Sequence, residues 1–182
     1  MMITTKEALQ RFEETAIHYI HELDPFNLEQ LKQKPSENDW SIGEMVQHLI
    51  SSALYMQLRN LEQCLVPSQD SLVTLAEKTE TGVAIFAQGR FPPIRIHVPP
   101  SPQYSPEQPE SKEQLIQGLQ TVIQRMKEIE PTLEKASKQN TVSHPSFGRL
   151  CAEEWFLLVE MHYRHHLLQL NRLKQGLVQD AT

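Results

Sequence analysis

Two histidines four residues apart, His162 and His166, stand in the stretch WFLLVEMHYRHHLLQLNRLK between Trp155 and Lys174. The stretch can be wound as a helix at about 100° per residue with His162 at zero. Trp155 and Leu173 then fall near about +20°, Leu158 near about −40°, Val159 near about +60°, His166 near about +40° and Gln169 near about −20°. Glu160, Arg164 and Asn171 land close to the opposite side. Both imidazoles are thus centred on the apolar face, the face that should be buried. A buried imidazole needs partners for its nitrogens. Two of them, with a glutamine one turn on, imply that the face meets something polar. A metal ion is the simplest such object, because histidines at i and i+4 point the same way and can share it. His165, near about −60°, lies at the edge of the same face and is less well aimed.

Two ligands do not complete a site, since zinc and similar divalent ions want at least three from the protein. The third must come from another element. His48 is the best candidate, being on a long helix with a polar inward strip around it, with Glu44 one turn before it, His165 beside the pair and His97 in a proline-rich segment as alternatives. Ser41-Ile42-Gly43-Glu44 reads as a capping box opening a long helix to about Cys64 or Leu65. Its apolar arc holds Ile42, Val46, Leu49, Ile50, Ala53, Leu54, Leu58 and Leu61. A second, polar strip holds Glu44, His48, Ser51, Ser52, Tyr55 and Arg59, bordered by Met45 and Met56, as the mouth of a pocket would be. The bland alternative is a solvated face.

The remaining elements follow from the same signals. Thr4-Thr5-Lys6-Glu7 is a capping box for a first helix carrying Leu9, Phe12, Ala16, Ile20 and Leu23, stopped at Asp24-Pro25. Asn27 to Lys34 adds a short helix. Ser111-Lys112-Glu113-Gln114 is a third box, opening a helix that buries Leu115, Leu119, Val122, Ile123, Met126 and Ile129 and ends or kinks at Pro131, with a second piece to about Lys138. Gln139 to Gly148 reads as a turn region, the last helix begins near Leu150, and the tail after Gly176 reads as frayed. Seven of the twelve prolines lie between Pro92 and Pro109, which rules out a regular helix or central strand there. Residues 67–110 therefore read as a long crossover, with helical turns over Ser71 to Glu80 and apolar anchors at Phe91, Ile94, Ile96, Val98 and Tyr104. Such a connection lets two helices lie parallel across a bundle. The expected fold is all-α, a four-helix bundle in one domain of 182 residues with a proline-rich crossover between its second and third helices.

Composition narrows the function classes. Hydrophobic residues at 39% and charged residues at 22% fit a globular chain. The formal charge of −6 argues against a nucleic-acid surface. No apolar run reaches the roughly 18–20 residues of a membrane span, and the N-terminus has no signal-like apolar core. Two cysteines, Cys64 and Cys151, form neither a disulfide framework nor a CxxC motif, so a reducing cytoplasm is the expected compartment.

The segments WSIGEMVQHL (Trp40 to Leu49) and HPSFGRLCAEEW (His144 to Trp155), running on to HYRHHLLQL (His162 to Leu170), resemble the DinB-like superfamily. The resemblance extends from the first helix to about Lys174, and its specificity comes from the order and spacing of short motifs. It implies a four-helix bundle with a long second-to-third connection, and a divalent ion held by one histidine of the second helix and two of the fourth. Matched position by position, those are His48, His162 and His166. The metal would be zinc or nickel, with iron or manganese as alternatives. One departure is Cys151, where members with this segment usually carry a threonine or serine as helix cap; a cysteine there can have a lowered pKa and a reactive role, or be a tolerated substitution.

Three histidines leave a coordination position open, as in catalytic sites. The superfamily includes enzymes that transfer low-molecular-weight thiols to electrophiles, and others described only as metal-dependent hydrolases. A small-molecule substrate is therefore implied, with Arg59, Tyr55 and Gln169 as pocket groups for a thiol cosubstrate, or Glu44 as general base for hydrolysis. A non-catalytic bundle that binds a ligand or partner is the reading from a different class. The resemblance also implies a homodimer.

Overall fold

The computed structural model describes residues 3–66, 77–94 and 105–179. Helix α1 (Thr5–Leu23) is followed by a short α2 (Leu28–Lys32) and by α3 (Ile42–Ser52). A π-helical turn (Ala53–Gln57) carries α3 without a break into α4 (Leu58–Leu65). Then come α5 (Glu80–Gln88), α6 (Lys112–Ile129), a 3-10 turn (Glu130–Lys135), strands β1 (Thr141–His144) and β2 (Gly148–Cys151), and α7 (Ala152–Gln179). Helix α1 packs on α6 and α7, and the α3–α4 rod packs on the same two, which closes a four-helix bundle. Among the described residues, no helix is long and apolar enough to cross a membrane.

The helix starts follow the expected chemistry. Thr4 with Glu7, Asn27 with Gln30 and Ser41 with Glu44 form reciprocal capping boxes. At α6 only half of the box forms: the Ser111 hydroxyl accepts from the Gln114 N–H, but the Gln114 side chain takes the Glu110 N–H instead. The core unites Phe12, Ala16, Tyr19 and Leu23 of α1 with Leu49 and Leu61 of the rod, Leu119 and Val122 of α6, and Trp155, Phe156, Val159 and Tyr163 of α7. Ile20, placed on the α1 stripe from sequence, is only partly buried, and Tyr19 is buried beside it. The Tyr19 hydroxyl donates to the Tyr163 carbonyl at 2.7 Å, and its ring meets the Tyr163 ring edge-on.

Several elements depart from expectation. The region of Gln139 to Gly148 is not merely a turn; it holds an antiparallel hairpin in which Thr141 pairs with Cys151 and His144 with Gly148. The crossover holds a regular helix, α5, capped by the Thr79 hydroxyl and closed by Gly89 in the left-handed region. The helical turns expected over Ser71 to Glu80 fall largely outside the described residues, and 77–79 are not helical. The expected frayed tail is helical to Gln179, because Leu177 still packs on the core; residues 180–182 lie outside the described residues, as do Ile96, His97, Val98 and Tyr104. Glu160 and Arg164, expected on a solvent side, face α5: Glu160 is 1% exposed and takes two bonds from Arg164, at 2.7 and 2.9 Å, while Arg164 also donates to the Gly89 carbonyl at 2.6 Å.

Candidate metal centre

Helix α3 brings His48, and α7 brings His162 and His166, to one point between them. The Nε2 atom of His162 lies 3.1 Å from Nε2 of His48 and 3.1 Å from Nε2 of His166. All three ligating atoms fall within 4.8 Å of one another. Each ring is anchored by its far nitrogen. Nδ1 of His166 donates to Gln169 Oε1 at 2.8 Å, which leaves its Nε2 as a bare lone pair. Nδ1 of His48 lies 3.4 Å from the Ser52 hydroxyl. Nδ1 of His162 lies 3.5 Å from the Gln57 side-chain nitrogen, while Gln57 Oε1 is buried without a partner. A half-turn of that amide, which exchanges atoms of nearly equal size, lets Oε1 accept from Nδ1–H.

The donor set fits a divalent ion. Lone pairs facing each other at this separation repel unless a proton or a cation stands between them. Two nitrogens bound at about 2.0–2.1 Å to one tetrahedral ion lie about 3.3 Å apart, close to the spacing found. An outward Nδ1–H bond on each ring is the support that metal-ligating histidines need to hold tautomer and direction. Electrostatics point the same way. Burial, with the neighbouring His166, pushes His48 down to about 3. Burial pushes His166 down to about 4 against the raising effect of Gln169, and burial with the surrounding imidazoles takes His162 well below its usual value. All three rings are neutral at neutral pH, the form that ligates.

The centre opens into a cavity of about 680 Å³. Trp40, Phe91, Phe147 and Leu168 contribute apolar walls, and Asp39, Arg172 and His144 polar ones. His165 lines this cavity against the Phe91 ring, with centroids 5.5 Å apart, and is not part of the cluster. Gln169 also lines it, held by His166.

Three expected pocket groups sit elsewhere. Tyr55 is 72% exposed, Arg59 is exposed, and neither lines the cavity. The cause is the π-helical turn, in which the Leu58 N–H reaches back five residues to the Ala53 carbonyl. That turn absorbs one extra residue, so everything beyond it is rotated back by about 100°. Arg59 leaves the face of His48, and Met56 and Gln57 arrive on the cavity in its place. Glu44 is also off the cavity: its carboxylate accepts the Ser41 N–H at 2.8 Å and lies 3.6 Å from Lys34 Nζ. It is committed to starting α3. Cys151 is buried, its thiol raised by burial rather than lowered, and its N–H donates to Glu154 at 3.0 Å. Of the two readings of Cys151, burial favours the tolerated substitution over the reactive thiol.

The sequence reading missed Gln57 and His144 as cavity residues. Gln57 was hidden by the π-turn, whereas His144 was visible in the HPSFG segment without a role attached to it.

A 164-residue alignment relates the chain, at 24% identity, to the uncharacterized protein YuaE of Bacillus subtilis (strain 168), covering 90% of this chain and 95% of that protein. No solved structure matches significantly. Residues 9–170 match the family description of the DinB superfamily, a span that takes in all three histidines and the helices that carry them, and the chain belongs to that superfamily.

Proposed function

We propose that this chain is a divalent-metal-dependent enzyme in which His48, His162 and His166 hold the ion through Nε2, and in which a small thiol cosubstrate is the nucleophile. The observation that carries the reading is the convergence of three Nε2 atoms, each with its Nδ1 anchored outward, at the wall of an open cavity. When bound, the ion supplies a Lewis acid that favours the thiolate form of a sulfhydryl. The chain's own groups hold and orient. Ser52, Gln57 and Gln169 fix the three rings. Trp40, Phe91 and Phe147 keep one side of the cavity apolar, which strengthens electrostatic attraction within it.

Thiol transfer is favoured over hydrolysis by what lines the cavity. Neither cysteine reaches it, so under thiol transfer the sulfur nucleophile comes with the cosubstrate. Hydrolysis needs a general base near the ion, and the Glu44 carboxylate expected in that role is committed to its helix cap.

The test begins with protein purified without an affinity tag. Elemental analysis should find about one divalent ion per chain in wild type and a trace in His48→Ala and His162→Ala. Equal, substoichiometric content in all three would rule out the centre. Metal-loaded protein is then offered thiols with an aromatic halide or epoxide, and separately esters and amides. Metal-dependent thiol consumption lost in His48→Ala supports the proposal. Ester or amide cleavage alone would make the chain a hydrolase, and silence in both screens a binding protein.

A further inference from the structure

His144 lines the same cavity but belongs to neither α3 nor α7, and the metal reading leaves it without a task. Its ring is held from several sides. The Ser146 N–H donates to Nδ1 at 3.0 Å, and a nitrogen that accepts cannot carry the ring proton, so the proton of the neutral ring is on Nε2. Among the described residues no acceptor takes that Nε2–H. Phe147 stacks on the ring with centroids 4.2 Å apart and planes 11° from parallel, and Trp155 meets it at 5.4 Å. Phe147 in turn lies 5.7 Å from Phe91, whose ring faces His162 at 6.4 Å.

The hairpin that carries the ring is itself pinned. The Thr79 hydroxyl donates to the Ser146 carbonyl at 2.8 Å, and the Thr79 N–H donates to the Phe147 carbonyl at 3.1 Å. Gly82 lies so close that an added Cβ would stand 2.2 Å from the Phe147 carbonyl oxygen, and Gly148 turns the chain at φ +76. A donor fixed this firmly on a cavity wall is preorganised for an acceptor that comes with the ligand.

We propose that His144, through Nε2–H, is the hydrogen-bond donor to whatever ligand occupies the three-histidine centre, and that this ligand carries an acceptor oxygen, carbonyl or carboxylate, beside the atom that meets the centre. The inference rests on the metal reading given above. The competing role is structural, with Nδ1 merely completing the turn to Ser146. His144→Asn separates the two, because an asparagine oxygen makes the same bond two residues on and leaves no group where Nε2 stood.

Cobalt-loaded wild type, His144→Asn and His144→Phe are titrated with acetate and with ethanethiol, following the visible cobalt spectrum. Acetate offers a free acceptor oxygen once bound, and ethanethiol offers none. Acetate should bind about 5–10-fold more weakly to both variants, with ethanethiol affinity and cobalt content unchanged. Unchanged acetate affinity in His144→Asn, with loss only in His144→Phe, would make the residue structural and overturn the proposal. Parallel weakening of both probes in His144→Asn would overturn it too, as damage to the whole site. Wild type that takes up no cobalt would overturn the metal reading itself, a result distinct from either.

Discussion

At the scale of single residues, the centre rests on imidazoles that resist protonation. Burial holds His48 at about 3 and His166 at about 4 in the metal-free fold, whereas an unfolded chain protonates its histidines near the ordinary value of about 6.5. Below that value the unfolded state binds more protons than the folded one. Metal-free stability is therefore fully present above about pH 6.5 and falls as the pH drops toward about 4. Urea melts of chelated protein should show this slope, and His48→Phe should flatten it; a wild-type curve flat between those limits would mean the rings are solvated. For the same reason, the affinity of the site for metal, after allowance for protonation of the competing chelator, should hold nearly constant from pH 7 to about 5, since protons do not yet compete for Nε2. Gln57→Leu removes the amide beside His162 Nδ1 and should weaken metal binding about 10–100-fold with the fold intact, read by chelator competition. His162 and His166 were legible because i, i+4 spacing and helical phase fix direction without any tertiary knowledge, whereas the choice of His48 over Glu44 leaned on the family resemblance. Gln57 was not legible, since on a straight helix it stands opposite His48.

At the scale of elements, the π-turn explains both that miss and the false placement of Arg59. On an unbroken α-helix the arc through Ile42, Val46, Leu49 and Ala53 drifts away from Leu58 and Leu61. One extra residue in the rod brings both leucines back into the core, where Leu58 is 2% exposed and Leu61 fully buried. The turn is thus the conformation that the apolar spacing demands, although no local sequence signal announces it. Deleting Leu54 removes the extra residue, so it should restore regular winding while leaving Leu58 and Leu61 at the core-facing phase they already hold. The loss in urea should therefore be confined to the partly buried Leu54 side chain, about 1 kcal/mol, with the metal still bound because His48 precedes the change. A loss of about 3–4 kcal/mol, as if both leucines had left the core, would show that the turn does not absorb an extra residue. The hairpin and α5 were illegible for other reasons. Four-residue strands are too short for alternation to register, and α5 makes its order through contacts with Phe147 and Arg164 rather than through a long amphipathic pattern.

At the scale of the whole molecule, the crossover behaves as part of the site. Helix α5 is tied to α7 by Arg164 on the Gly89 carbonyl and to the hairpin by Thr79 on Ser146 and Phe147, and the segment leaving α5 places Phe91 against His162 and His165. Arg164→Met keeps the aliphatic stem but strands the Glu160 carboxylate, which is 1% exposed. Because the Arg164 side chain is 36% exposed, water can partly replace it, and the cost should be about 2–3 kcal/mol rather than the full penalty of a broken buried pair. Adding Glu160→Leu removes the stranded charge and should return most of that stability. The tie to Gly89 stays broken in the double variant, however. Limited proteolysis should therefore cut residues 77–94 faster than in wild type at equal global stability, and with Phe91 loosened, ligand affinity at the three-histidine centre should fall while metal content holds. Wild-type rates of cleavage in the double variant would mean that the hairpin contacts alone hold α5, and would move the hold on the cavity wall from Arg164 to Thr79.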